Sequence, residues 1–353
     1  MLPLDPGAAL MPFRLEPILK AKVWGGDRLA RFPSKGVSTG DKIGESWEAS
    51  GLHGDDNVVA TGPAAGERLA ALTARLGPGL VGQELPAPEF PLLLKFLDAR
   101  ERLSLQVHPP TRPAPGGRFS LGKAEAWFIL EGGELVSGLA PGVQPAELES
   151  LLRSGGDPTP LLCRLQVRPG DTVPIAPGTL HCIGPGVLLV EVQQPADITF
   201  RLHDWGRAGR DLQLADALDV LEVGAGRASS PPPLECRRGA NLFRFHLGCR
   251  HFGLETAILS EPCPWVRAGQ RLELLLALEG SFAIGPRSAG PALEIETGQT
   301  AILPATAPEL WLEPRGKATV LVCYPTRLER EHYDRLLTWG YAGADVAGHL
   351  FPA

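Results

Sequence analysis

Between residues 90 and 204 the chain reads as a succession of short apolar runs, each bounded by Gly, Pro or Asp. They are FPLLLKFLDA (90–99), LSLQVH (103–108), AEAWFILE (124–131), LLCRLQV (161–167), DTVPIA (171–176), GVLLVEVQQ (186–194) and DITFRLHD (197–204). Runs this short, rich in Leu, Val, Ile and Phe and cut by turn residues, are strands of a sandwich or barrel rather than helices. The 42 glycines and 35 prolines are spread between such runs, which speaks for many turns and against one disordered tract. The expected fold class is therefore mainly β, with a few short helices.

The helical exceptions are GERLAALTARLG (66–77), QPAELESLLRSGG (144–156) with Pro145 in the first turn, and TRLEREHYDRLLTWG (326–340). Thr326 followed by Glu329 fits a capping box for the last. A break at GAGRASSPPPLECRR (224–238) reads as an extended linker. Beyond it a second strand-rich region, about 241–325, repeats the order of the first: GQTAILPATAPELWL stands where the first has GDTVPIAPGTLHCIG. Two related β-sandwiches follow from this. The second lacks the histidine of the first, with Glu309 near that place.

The net charge of −6 and the absence of a basic tract argue against a nucleic-acid partner. Six scattered cysteines without a CxxC pair read as free thiols in a reducing compartment. The N-terminal MLPLDPGAALMPFRLEP lacks the basic segment and apolar run of a signal peptide, and no run is long enough to span a bilayer. The expectation is a cytoplasmic protein with no membrane partner.

LSLQVHPP raises the functional question. In a strand, Leu103, Leu105 and Val107 face one way and Ser104, Gln106 and His108 the other, until Pro109 and Pro110 end it. Three polar groups aimed into one space suit a site, although an edge strand with a wet face gives the same alternation. Downstream, GKAEAW sets Lys123 and Glu125 two apart, and PGDTVPIAPGTLHCIG uses Gly170-Asp171 and Pro177-Gly178 as turns that deliver His181. Gln106, His108, Glu125 and His181 supply an amide, two imidazoles and a carboxylate. Borderline divalent metals such as zinc take nitrogen and carboxylate ligands of this kind.

This ordered set, Q-x-H, then E, then G-D-x5-P-G-x2-H, resembles the metal site of the cupin double-stranded β-helix, or jelly roll. FPLLLKFLDARERLSLQVHPP, GKAEAWFIL, GDTVPIAPGTLHCIG and GVLLVEVQQPADITFRLHDWGR together resemble the short bacterial form of type I mannose-6-phosphate isomerase. VWGGDRLARF (23–32) and IGESWEAS (43–50) are similar to N-terminal segments of that family. The resemblance spans about residues 11–325. It implies a catalytic cupin over 11–225 with a short helical insertion and a metal-less cupin-like domain over 240–325; the helical tail over 326–353 is read from the residues alone and is not explained by the resemblance.

The resemblance implies an aldose–ketose isomerase that interconverts mannose 6-phosphate and fructose 6-phosphate through a cis-enediol(ate). It implies one zinc ion per chain on Gln106, His108, Glu125 and His181, a small sugar phosphate as the partner, and a monomer or weak homodimer. Lys123 is the candidate proton shuttle and Arg201 the stabiliser of negative charge; Glu191 is a second acid/base or a sugar-hydroxyl contact. Lys95 and Ser104 are the candidates for holding the phosphate. Trp24 and Trp47 read as packing residues, and His53, His203, His246, His251, His332 and His349 as structural or surface residues. Pro110 stands where the family often has an acidic residue, and the loop 111–121 is rich in Pro and Gly. An iron dioxygenase cupin would want a third imidazole in place of Gln106. A sugar-phosphate sensor with a decayed site would have lost some of these side chains.

Overall fold

The computed structural model describes residues 10–83, 89–114, 118–224, 226, 230–267, 270–287, 292–326 and 329–353. The larger sheets are antiparallel and fall into two sandwiches. In the first, a six-stranded sheet has the order Thr172–Ile175, Glu125–Glu131, Leu188–Gln193, Leu93–Asp98, Ile43–Ala49, Ile18–Gly26. It faces a five-stranded sheet in the order Leu162–Val167, Gly133–Leu139, His181–Ile183, Leu105–Val107, Phe200–His203. Leu97, Trp127, Ile129, Val173 and Leu189 of one sheet pack on Leu135, Val167 and Ile183 of the other. Most neighbouring strands, such as Leu93–Asp98 and Leu188–Gln193, are far apart in sequence, which is the jelly-roll connection expected of a double-stranded β-helix.

The second sandwich pairs a seven-stranded with a four-stranded sheet. Its core includes Phe282, Ile284, Leu310, Leu312, Val320 and Val322. The two sandwiches stand back to back. Leu94, Phe96, Ala126, Phe128 and Val190 on the outer face of the six-stranded sheet share one core with Leu254, Leu274, Leu276, Ile302 and Leu321 of the seven-stranded sheet. This explains why FPLLLKFLDA reads as an almost unbroken apolar run: all six residues of Leu93–Asp98 are buried, because both faces of the strand are covered. Lys95 is the polar exception on the inner face, and Asp98 at the strand end is paired with Arg28.

Helices form at Leu69–Leu76 and Pro145–Arg153, where the spacing predicts them. The second closes a capping box in which Gln144 N donates to Glu147 Oε1 at 3.0 Å. The outer face of the five-stranded sheet, with Leu105, Val107, Cys182 and Leu202, packs on Leu148 and on Ala217 and Val220 of the helix Leu214–Val220.

Several expectations are corrected. The strand in LSLQVH is only Leu105–Val107, so Leu103 does not share a side with them but packs with Trp24 and Leu97 in the first sandwich. The last helices run Arg330–Leu337 and Gly343–Ala347; Thr326 is no cap, because its hydroxyl donates to the Cys249 carbonyl at 2.9 Å. The linker is shorter than 224–238, since Leu234–Arg238 is a strand paired with Asn241–Gly248. Residues 225 and 227–229 of that linker, and 115–117 of the loop 111–121, lie outside the described residues. The boundary between 11–225 and 240–325 is also crossed: Phe13–Arg14 pairs with Thr300–Leu303 of the second sandwich. No helix among the described residues is long and apolar enough to cross a membrane.

Candidate metal centre and active site

Two rows of side chains meet inside the first sandwich. Across the five-stranded sheet, His181, Gln106 and Arg201 are register partners on adjacent strands, so they share the inner face. Across the six-stranded sheet a second row runs Trp47, Lys95, Glu191, Trp127. Glu125 lies two residues before Trp127 on the same strand and therefore on the same face. The Trp127 and His181 rings, 5.6 Å apart edge to face, join the two rows.

The turns are built for this meeting. Gly178 sits at φ +80°, and a Cβ there would stand 2.9 Å from the Val220 carbonyl. Only glycine fits. Its N–H donates to the His108 carbonyl at 2.8 Å, which ties the His181 turn to the end of the His108 strand. A Cβ on Gly122 would lie 2.3 Å from Thr111 N, so glycine also lets the Lys123 segment close over the same strand end.

His108, Glu125 and His181 bring ligand atoms within 4.8 Å of one another, and all three are buried. His108 Nδ1–H donates to the Ile198 carbonyl and His181 Nδ1–H to the Thr179 carbonyl, each at 2.8 Å. These bonds hold both rings as the tautomer with a bare Nε2 turned inward. The two Nε2 atoms lie 3.3 and 3.5 Å from Glu125 Oε2 and Oε1. Both Glu125 oxygens are buried without a hydrogen-bond donor. Lys123 Nζ is 2.7 Å from Oε2, off the hydrogen-bond direction, and 3.1 Å from His108 Nε2. Gln106 Nε2 reaches to 3.1 Å from His181 Nε2, and Ser104 Oγ donates to Gln106 Oε1 at 2.9 Å. The wet-face alternative is excluded: Ser104 and His108 are 2% and 1% exposed.

The charges follow from this burial. Burial pushes the His108 imidazole down to about 3, with the Lys123 charge adding to it against Glu125. Burial likewise lowers His181. Burial alone would raise Glu125, but the Lys123 charge beside it holds it well below the usual carboxylate range. Two neutral imidazoles and an anionic carboxylate with bare lone pairs form a donor set that suits a borderline divalent cation.

Glu191 lies beside this set. Lys95 Nζ is 3.0 Å from its Oε1 and Lys123 Nζ 3.7 Å, and Trp127 Nε1 donates to its Oε2 at 3.0 Å. Burial and then the Glu125 charge raise its pKa, against the pull of both lysines. Burial would lower Lys95, but Glu191, Glu45 and Glu125 outweigh it and raise it. Lys95 and Ser104, expected together at a phosphate, approach from different sheets, each with a partner of its own. Arg201 is joined to the cluster only through its register with Gln106: Nη1 donates to the Asp211 carbonyl at 2.9 Å, and its buried Nε has no acceptor. The sequence reasoning missed Trp127 and Glu45, whose carboxylate accepts from Trp47 Nε1 at 2.7 Å. The signal for Trp127 was its place two residues after Glu125.

The comparisons agree with this geometry. The family model "Phosphomannose isomerase type I, catalytic domain" matches residues 12–115. Mannose-6-phosphate isomerase ManA of Bacillus subtilis is 35% identical over 225 residues, 60% of this chain and 68% of that one. Mannose-6-phosphate isomerase of Streptococcus mutans is 33% identical over 228 residues, 62% and 71% of the two chains. The crystal structure of the Bacillus subtilis mannose 6-phosphate isomerase superposes with a TM-score of 0.77 at 28% identity, covering 88% of this chain and 99% of that one. A zinc-bound mannose 6-phosphate isomerase shares the fold at 14% identity, with a TM-score of 0.69 over 89% of this chain and 99% of its own. With two close relatives, a solved structure and a built His-Glu-His centre in agreement, the chain belongs to the type I mannose-6-phosphate isomerase family.

Proposed function

We propose that the protein moves the carbonyl of mannose 6-phosphate from C1 to C2, giving fructose 6-phosphate, at a single zinc ion held by His108, Glu125, His181 and Gln106. The observation that carries this is the buried Glu125 carboxylate without a donor, faced by two imidazoles whose Nδ1–H groups are already tied to carbonyls. A terminal amide turned over would bring Gln106 Oε1 to the position its Nε2 now takes beside His181. Bound there, zinc would act as a Lewis acid toward sugar oxygens.

The remaining chemistry belongs to the side chains. Lys123 and Glu191, 3.7 Å apart, are the groups that take a proton from one carbon and return it to its neighbour. Glu191 suits the task because burial has moved its carboxyl toward neutrality. Lys95 holds Glu191 through its 3.0 Å ion pair and, with Ser104 on the opposite sheet, fixes the sugar phosphate. Arg201 balances the negative charge of the enediolate. Trp47 and Trp127, both fully buried, keep water from this row.

A coupled assay with mannose 6-phosphate tests the reading, run before and after chelation and again after zinc is restored. Turnover removed by the chelator and recovered with zinc is expected. No turnover in zinc-loaded protein refutes it.

A further inference from the structure

A second polar centre lies in the second sandwich, away from every residue of the metal centre. Tyr324 is fully buried on the strand Ala318–Pro325, and its hydroxyl donates to Glu255 Oε1 at 2.6 Å. The Arg271 guanidinium stacks 3.5 Å from the centroid of the Tyr324 ring. Arg335, on the C-terminal helix, donates from Nη2 to Glu255 Oε2 at 2.6 Å. Trp265 Nε1 donates to Glu273 Oε2 at 2.7 Å. Arg267, Arg271, Arg335, Trp265 and Trp339 line a cavity of about 580 Å³, the size of a small-molecule site.

Among the buried side chains around it the donors outnumber the acceptors. Arg267 Nε, Arg271 Nε and Nη2, and Arg335 Nη1 are buried without any hydrogen-bond partner. Their side chains are 9%, 9% and 10% exposed. Glu273, the nearest carboxylate to the first two, stands 3.6 and 3.7 Å away, beyond hydrogen-bond reach. Among the lining residues Arg238 and Arg330 are balanced by Glu331 and Asp334, so the surplus of positive charge lies with Arg267, Arg271 and Arg335, which meet Glu255 and Glu273 behind the lining. Buried guanidinium N–H groups left without acceptors are costly, and planar forks match the oxygens of a phosphate.

We propose that this cavity binds a small phosphorylated molecule, its phosphate held by Arg267, Arg271 and Arg335 and its remainder laid against Trp265 and Trp339. The site is separate from the isomerase centre and takes no part in the carbonyl transfer.

Isothermal titration of the zinc-loaded full chain with inorganic phosphate tests it, comparing wild type with Arg271→Met and Arg271→Lys. Any phosphate binding at the metal centre is common to the three proteins and cancels. Both variants are expected to bind phosphate about tenfold more weakly or worse, since lysine keeps the charge but loses the fork. Their turnover with mannose 6-phosphate, in phosphate-free buffer, is expected to be unchanged. Arg271→Lys decides the question if Arg271→Met does not fold. Equal affinity in all three overturns the proposal, as does the absence of phosphate binding in the wild type. Citrate that binds where phosphate does not, and is lost in the variants, replaces the phosphate assignment with a carboxylate one.

Discussion

Glu191→Gln is the most informative single substitution. Glu191 is 2% exposed and Lys95 4%. The carboxylate accepts from Trp127 and faces Lys95 at 3.0 Å and Lys123 at 3.7 Å. Removing one partner of a buried ion pair costs about 3–5 kcal/mol, because the other charge stays behind. Here the lower end applies. A glutamine oxygen still accepts one hydrogen bond, and Lys95 keeps the attraction of Glu45 and Glu125. A loss of about 3 kcal/mol is therefore expected, read as a lower urea midpoint with an unchanged slope. kcat should fall by at least ~100-fold, the usual worth of a positioned acid or base. The pH dependence supplies a check. The pKa of Glu191 is raised, so on acidification it takes up a proton earlier than an ordinary carboxyl and the folded state gains from that uptake. The stability gap between wild type and variant should then widen as pH falls, because the glutamine variant lacks that uptake. A loss below about 1 kcal/mol near pH 7, with a gap that already widens by about 1.4 kcal/mol per unit from pH 7 downward, would mean that Glu191 is already neutral in the folded protein and that the ion pair is not there.

His181→Gln should weaken zinc binding by at least ~100-fold, since loss of a mere supporting partner already costs 10–100-fold; competition with a chromogenic chelator measures it. Phe96→Ala empties a fully buried position beside Phe32, 5.0 Å away between ring centroids, and should cost about 3–5 kcal/mol. Because that core joins the two sandwiches, denaturant melting should stay one transition; two separated transitions would count against a shared core. His246 is held at about 3 by burial, with Arg244 and His349 adding to it, while its Nε2 meets Thr256 Oγ1 at 2.9 Å. Above pH 6.5 it contributes nothing to the pH dependence. Between 6.5 and 3 only the unfolded chain takes the proton, so stability falls by about 1.4 kcal/mol per pH unit from this group. His246→Asn should make the measured slope shallower by that amount.

The meeting of His108, Glu125 and His181 was legible because its signals are local. The Q-x-H alternation is a property of one strand, and the Gly170 and Gly178 turns are written in residues that tolerate positive φ. The row Trp47, Lys95, Glu191, Trp127 was not legible as a row. It is made by register between strands distant in sequence, and no single strand carries that information. Trp47 accordingly read as packing, and Lys95 as a phosphate ligand beside Ser104, with no sign of its place opposite Glu191. The Phe13–Arg14 strand escaped for a similar reason: two residues hold no periodicity, and their partner is Thr300–Leu303. The Thr326 cap failed because a tertiary acceptor, the Cys249 carbonyl, took the hydroxyl that the local pattern assigned to the helix.

The back-to-back sandwiches carry a consequence for any attempt to trim this enzyme. The sheet that bears Glu125 and Glu191 has no solvent side: turned one way it does chemistry, turned the other it is an oily wall of Leu94, Phe96, Phe128 and Val190. A fragment ending near residue 225 would keep every side chain proposed to hold the metal or move a proton, yet bare that wall to water and seek another surface to cover it. The half of the chain without a metal ligand is thus a permanent chaperone to the half that has one, and the two can be expected to stand or fall together.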